Sequence, residues 1–288
     1  MRLLIIGQAV VDTIEFINGK TLLLPGGVHH VCTGISIAKS GNDELFLCTS
    51  FDEESKSLFE KSFSIFNDKY ITKTDRIPRV HLTVYPDRER EERYDSINQH
   101  LLLNINDWDD FDGIILNMIT GFDVTIQQLE YIRNNFKGSI YFDVHTLSRG
   151  LDEQFNRNFR LIPNIEKWAK SVDIIQMNES EIKTVSKFES ERKIVEELFN
   201  YGIKIIIITK GAVGARVYYK NKAETVSFFI SSLKVKAVNT VGCGDVFGAV
   251  FFYNYIKTKN INLALHKAVQ AASLTAAGLT PNEIKNHS

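Results

Sequence analysis

Residues 173–211, DIIQMNESEIKTVSKFESERKIVEELFNYGIKIIIITKG, decide the fold class. Two short apolar runs, DIIQMN and KIIIITKG, flank a helical stretch, ESERKIVEELFNYG. Ile194, Leu198 and Phe199 fall on one face of that stretch, and Gly202 stops it. Runs apolar on both faces, separated by an amphipathic helix, are what a parallel sheet covered on both sides requires.

The same alternation extends upstream. FDGIILNM (111–118) precedes the helical TIQQLEYIRNNF, and SIYFDVH (139–145) precedes IPNIEKWAKSV. Two further helices follow, GDVFGAVFFYNYIKT (244–258) and LALHKAVQAASLTAAG (263–278). The first hundred residues read differently. VVDTIEFING, KTLLLPGG and RVHLTVY are extended segments with turns, interrupted by the helical VCTGISIAKSG. Alternation in HLTVY suits a strand with one exposed face, and such strands predict a small separate sheet over a site. Asp87 to Arg93 alternates in sign and is expected at a solvated hairpin tip.

Composition narrows the function classes. The chain has 288 residues, 44% hydrophobic and 24% charged, the balance of a globular protein of enzyme size. With 34 basic and 35 acidic residues, no global field attracts nucleic acid or an anionic membrane. Three scattered cysteines, Cys32, Cys48 and Cys243, have no metal-like spacing and fit a reducing compartment. The apolar run before Gly7 is too short for a signal core or a membrane span, so a cytoplasmic location is expected.

Chemistry concentrates in NTVGCGDVFGAVFFY (239–253). Backbone N–H groups of Gly242, Cys243 and Gly244 fall at the start of a helix, beyond reach of helical carbonyls. With the positive end of the helix dipole they form an anion site. Asp245 lies one residue further in, where an ionised carboxylate can take a proton from an attacking hydroxyl. Such donors stabilise a phosphoryl group in transfer. The segment LKVKAVNT before them reads as a strand.

This run resembles the signature of the ribokinase-like carbohydrate kinases (the PfkB family), Asp-Thr-x-Gly-Ala-Gly-Asp before a helix. Other motifs of the family occur in the same order. LLIIGQAVVD resembles the opening strand, with Gly7 and the substrate-binding Asp12. LPGGVHHVCTGISIAKSG resembles the Gly-Gly motif, which implies Gly26 and Gly27 beside the sugar. DIIQMNESE resembles the Asn-x-x-Glu element, which implies that Asn178 and Glu181 act on magnesium through phosphate or water. IIITKGAVGARVY resembles the nucleotide-side strand and turn, with Thr209, Gly211 and Gly214. The matches run from about residue 3 to about residue 278.

The resemblance implies an α/β fold across residues 1–288. Its mostly parallel central sheet would be flanked by helices, with lid strands from about 12–25 and 78–100. It implies transfer of the γ-phosphoryl of ATP, with Mg²⁺, to a hydroxyl of a small sugar or sugar derivative. Asp245 would be the base, Gly242, Cys243 and Gly244 the anion hole, and a homodimer through the lid a frequent arrangement. A nucleoside kinase and a catalytically silent ligand-binding relative remain alternatives.

Departures are specific. Asn239 stands for the signature's first aspartate, Cys243 for its alanine, and Val31 or Cys32 near the place of the asparagine after the Gly-Gly motif. His29 and His30 face either substrate or a plain helix start. Asp143 has either a supporting or a structural role, with His145 beside it where the family's Asp-x-Asn element has asparagine. Ala272 and Ser273 lie where the family lines its adenine slot. Phe247, Phe251, Phe252 and Tyr253 read as core. GQAVVD after the first strand is not a dinucleotide-binding GxGxxG turn.

Overall fold

The computed structural model describes residues 1–17, 19–85, 91–97 and 100–287. The chain opens with β1 (Arg2–Gly7), β2 (Ala9–Phe16), β3 (Thr21–Gly27) and α1 (Val28–Ala38), followed by β4 (Glu44–Phe51), α2 (Lys56–Phe63) and β5 (Asn67–Lys73). Next come β6 (Arg79–Val84), β7 (Glu91–Ser96), β8 (Gly113–Asn117), α3 (Ile126–Asn135) and β9 (Ser139–Asp143). A hairpin, β10 (Arg149–Leu151) and β11 (Arg157–Phe159), leads to α4 (Ile165–Lys170), β12 (Ile174–Asn178), α5 (Glu191–Asn200) and β13 (Ile205–Thr209). The chain continues through β14 (Gly214–Asn221), β15 (Glu224–Ser231), α6 (Cys243–Thr258), α7 (Ile261–Ala276) and α8 (Pro281–Asn286).

Nine strands form one sheet in the order β15-β14-β13-β12-β9-β8-β1-β4-β5. It is parallel from β5 to β13 and closes with two antiparallel strands. Its central strands are buried on both faces, which explains their unbroken Ile, Leu and Val runs. One face packs under α1, α6 and α7 through Ile35, Phe251, Phe252 and Leu265. The other packs under α3, α4 and α5 through Leu129, Trp168 and Leu198. Within α5, Ile194, Val195 and Leu198 are buried, and Gly202 follows the helix end at φ 104°.

A separate four-stranded sheet, ordered β3-β2-β6-β7, carries its own small core of Val10, Ile14, Val80, Leu82 and Tyr94. The β10–β11 hairpin abuts it, with Tyr94 N–H donating to the Phe155 carbonyl. Residues 87–90 of the charged run lie outside the described residues, and Glu91 to Arg93 fall in β7.

One expected strand is absent. LKVKAVNT (233–240) follows the end of β15 as irregular chain, mostly exposed. It leaves the sheet edge for the end of α7. Leu233 N–H donates to Ser273 Oγ, and the Val238 and Asn239 N–H groups donate to the Ala276 carbonyl. Its backbone donors are thus taken by α7 rather than by a strand ladder.

Candidate active site

The carboxyl ends of β8, β9, β12 and β13 point toward the start of α6, where open α/β sheets hold their ligands. A cavity of about 830 Å³ opens there. Asp143, Asn178, Glu181, Thr209, Gly211, Gly214, Gly242, Cys243, Gly244 and Asp245 all line it. Nine residues picked for phosphoryl or nucleotide chemistry are therefore brought together, with Asp143 beside them.

Gly242 caps α6 in the left-handed region, at φ 75°. A side chain there would collide with the His30 ring, so glycine is required for space as well as for conformation. Cys243 N–H is turned to the Thr240 carbonyl at 3.3 Å, whereas the N–H groups of Gly242 and Gly244 have no partner among the described residues. The helix-start donors lie mainly on the two glycines. The Cys243 thiol is pushed up to about 11, by burial and then by the charge of Asp245, so it is an inert thiol.

Asp245 accepts a hydrogen bond from Asn117 Nδ2 at 2.7 Å. Beneath it, Gln176, only 2% exposed, donates through Nε2 to Asp143 Oδ2 at 2.6 Å and to the Gly244 carbonyl at 3.0 Å. Its Oε1 accepts from Tyr141 at 2.7 Å. Asp143 also accepts from His145 N–H, and its Oδ1 lies 3.3 Å from His145 Nδ1. Burial alone would lower the His145 pKa, but the Asp143 charge and hydrogen bond prevail and hold it at about 9.

Glu181 is 4% exposed, and burial followed by the Asp143 charge raises it to about 6. Its Oε2 accepts from Asn178 N–H at 2.8 Å, and its Oε1 lies 3.3 Å from Arg149 Nη1. Among the described residues no cluster of three His, Cys, Asp or Glu side chains could hold a metal. Magnesium does not need one, since it is commonly held by one or two carboxylates, waters and substrate phosphates. Glu181 and Asn178 at the cavity wall fit that arrangement.

Asp12, Gly26 and Gly27 line no part of this cavity. Val10 pairs with Gly26 across β2 and β3, and a Cβ on Gly26 would run into the Asp12 carboxylate, so the three form one neighbourhood where the small sheet meets α1. Asp12 is 6% exposed there. Gly27 caps α1 at φ 63°, and the next residue, Val28, donates to the Gln8 carbonyl. That cap directs α1 so that His30 reaches Gly242 and joins the two neighbourhoods. Burial lowers His29 to about 4, so its imidazole is neutral.

Asn239 has a local explanation. Its Oδ1 accepts from Val241 N–H at 3.0 Å, an Asx turn that an aspartate would make equally well. Charge at this position is not needed for the turn into α6. Four groups were missed by sequence reasoning, namely Asn117, Tyr141, Gln176 and Arg149. Asn117 and Gln176 carried a signal, each being a polar side chain inside an apolar strand run.

A family model, pfkB family carbohydrate kinase, matches residues 141–282. Over 85 residues the chain is 33% identical to a fructokinase of Rhizobium leguminosarum bv. trifolii, a stretch covering 30% of this chain and 25% of that protein. The chain thus spans about a quarter of that curated relative's length. A ribokinase from Thermotoga maritima superposes with a TM-score of 0.76 at 20% identity, over 99% of this chain and 98% of that one. A pyrophosphate-dependent kinase in the ribokinase family superposes at 0.78 and 19% identity, over 96% and 95%. The chain is thus similar to the ribokinase-like carbohydrate kinases of the pfkB family over these residues, and it has the ribokinase fold over nearly its whole length. No helix among the described residues is long and apolar enough to cross a membrane.

Proposed function

We propose that the protein transfers the γ-phosphoryl group of ATP, with Mg²⁺, to a hydroxyl of a small sugar or sugar derivative. The observation that carries this reading is Asp245, a carboxylate in the first turn of α6 and on the cavity wall, anchored by Asn117 beside two glycine N–H groups. Asp245 takes the proton of the acceptor hydroxyl as its oxygen attacks the γ-phosphorus. The bond from that phosphorus to the β–γ bridging oxygen breaks, and ADP leaves. Gly242 and Gly244, with smaller help from Cys243, donate to the oxygens on which charge develops.

Magnesium, when bound, neutralises donor phosphate charge, and Glu181 and Asn178 would hold it through water or phosphate. Thr209, Gly211 and Gly214 line the nucleotide side. Beyond them Leu233, Val235, Val269, Ala272 and Ala276 form an apolar wall, with Ser273 among them, where a base would lie. Asp12, Gly26 and Gly27 would hold the sugar, reached past His30 under the small sheet. The edge strand β3, with Leu23 exposed, would pair two copies into a homodimer. Light scattering at low concentration tests that pairing, and a monomer removes it.

Replacing Asp245 by Asn should lower kcat by about 10²- to 10⁴-fold with the fold intact. Wild-type turnover in that variant would exclude Asp245 as the base. A panel of sugars, polyols and nucleosides, assayed for ADP release, decides the acceptor class. Nucleotide binding without turnover on every acceptor would favour a silent relative.

A second donor is favoured by one finding. Similar folds include pyrophosphate-dependent kinases, one of them complexed with a pyrophosphate analog and myo-inositol. The apolar wall argues for a nucleotide, because pyrophosphate has no base to cover it. Parallel assays with ATP and pyrophosphate separate the two.

A further inference from the structure

Asn117 ends β8, paired in register with Gly7 of β1, and only 2% of it is exposed. Its Nδ2 donates to Asp245 Oδ1 at 2.7 Å. An ionised carboxylate only accepts hydrogen bonds, so the amide must turn its nitrogen toward Asp245. The amide oxygen then faces away. Oδ1 of Asn117 is buried and has no hydrogen-bond partner among the described residues. A half-satisfied buried amide lowers stability relative to an apolar side chain of similar size. The rest of β8 is Gly-Ile-Ile-Leu, so the strand itself gains nothing from a polar end.

We propose that Asn117 is a positioning residue for the phosphoryl transfer: it anchors Oδ1 of Asp245 and so turns Oδ2 toward the acceptor hydroxyl. The proposal rests on the reading of Asp245 as the base. Anchoring restricts the carboxylate to one rotamer, so the reacting oxygen is already placed when the acceptor arrives. The amide also favours the ionised form, which must be present before a proton can be taken. Asp245 is also coupled electrostatically to Tyr141 and His145, from β9 and the turn after it, and to Cys243 of its own helix turn, and the Asp143 and Glu181 charges act on the same Tyr141 and His145. His30 of α1 lies against Gly242. The hydrogen bond from Asn117 comes from a neutral donor, so a substitution can remove it without changing net charge.

The test compares Asn117→Leu and Asn117→Asp with the wild-type protein. The leucine variant should melt at or above the wild-type temperature while kcat falls about 10- to 100-fold, with the donor KM within about twofold. The carboxyl carbon of Asp245, followed by NMR, should titrate about half a pH unit or more higher without the amide donor. The isosteric aspartate variant should move it further up, because a second carboxylate opposes ionisation. An Asp245 titration unchanged in both variants overturns the proposal, as does an unchanged kcat in the leucine variant. A wild-type protein inactive with every donor and acceptor would defeat the kinase reading instead, and the Asp245 titration would still decide the role of Asn117.

Discussion

Gln176 Nε2 lies 3.0 Å from the carbonyl of Gly244 and 2.6 Å from Asp143 Oδ2, tying the floor of the sheet to the first turn of α6. The Tyr141 hydroxyl completes the chain at Gln176 Oε1. One buried amide therefore sets the height of the helix start over the strand ends.

Replacing Gln176 by Leu should release that turn and leave Asp143 and Tyr141 each short of a partner. Loss of buried hydrogen bonds of this kind costs about 1–3 kcal/mol. Urea unfolding should show it, and kcat should drop about tenfold or more as the Gly244 donor loses its fixed position. Full activity at reduced stability would mean that the anion hole does not depend on this amide.

Gly242→Ala should be damaging for two separable reasons. The φ of 75° strains any side chain by about 1–3 kcal/mol, and the His30 ring occupies the space a Cβ needs. Adding His30→Ala should recover the steric part and leave the backbone strain. A double-mutant cycle in urea should then give a clear coupling energy. Additive effects would show that His30 does not press on Gly242.

Donor choice can be probed at the apolar wall. Ala272→Phe should fill the space expected for the base and raise the ATP KM about tenfold or more. Any pyrophosphate-dependent activity should be unaffected, since that donor stops short of the wall. Equal loss with both donors would place the base elsewhere.

Asp43 supplies a pH-dependent contribution to stability far from the site. Burial pushes its pKa up, but hydrogen bonds from Tyr253, Lys257 and the N-terminal amine outweigh it and hold the carboxyl at about 2. An ordinary aspartate titrates near about 3.9. Because the folded value is the lower one, the stabilisation is full above pH 4 and is lost as pH falls toward 2. Asp43→Asn should therefore be less stable than wild type at pH 7 and pH 5, with the gap narrowing by pH 3 in thermal melts.

Much of the fold was legible because parallel strands announce themselves as apolar runs between amphipathic helices. Ile205–Thr209 and Ile174–Asn178 are of this kind, and both are interior strands of the sheet. The stretch holding β4, α2 and β5 gave no reading. LKVKAVNT was misread because alternating apolar residues fit a strand, while its backbone partners, Ser273 and Ala276, lie some forty residues away in sequence. The start of α6 stood out through its two glycines. Its supports did not, since Asn117 and Gln176 meet it only through tertiary contact. Polar residues closing or interrupting buried strands are the signal that would have found them.

The irregular segment 232–240 bears on how this protein can change. The proposed chemistry falls at the strand ends, where each buried amide and carboxylate constrains its neighbours. The outer wall of the cavity is a surface ribbon, fastened to α7 by a few backbone hydrogen bonds and carrying mostly exposed side chains. Substitutions in that ribbon disturb little packing, so a lineage could exchange one phosphoryl donor for another by editing it while the reaction centre stayed constant.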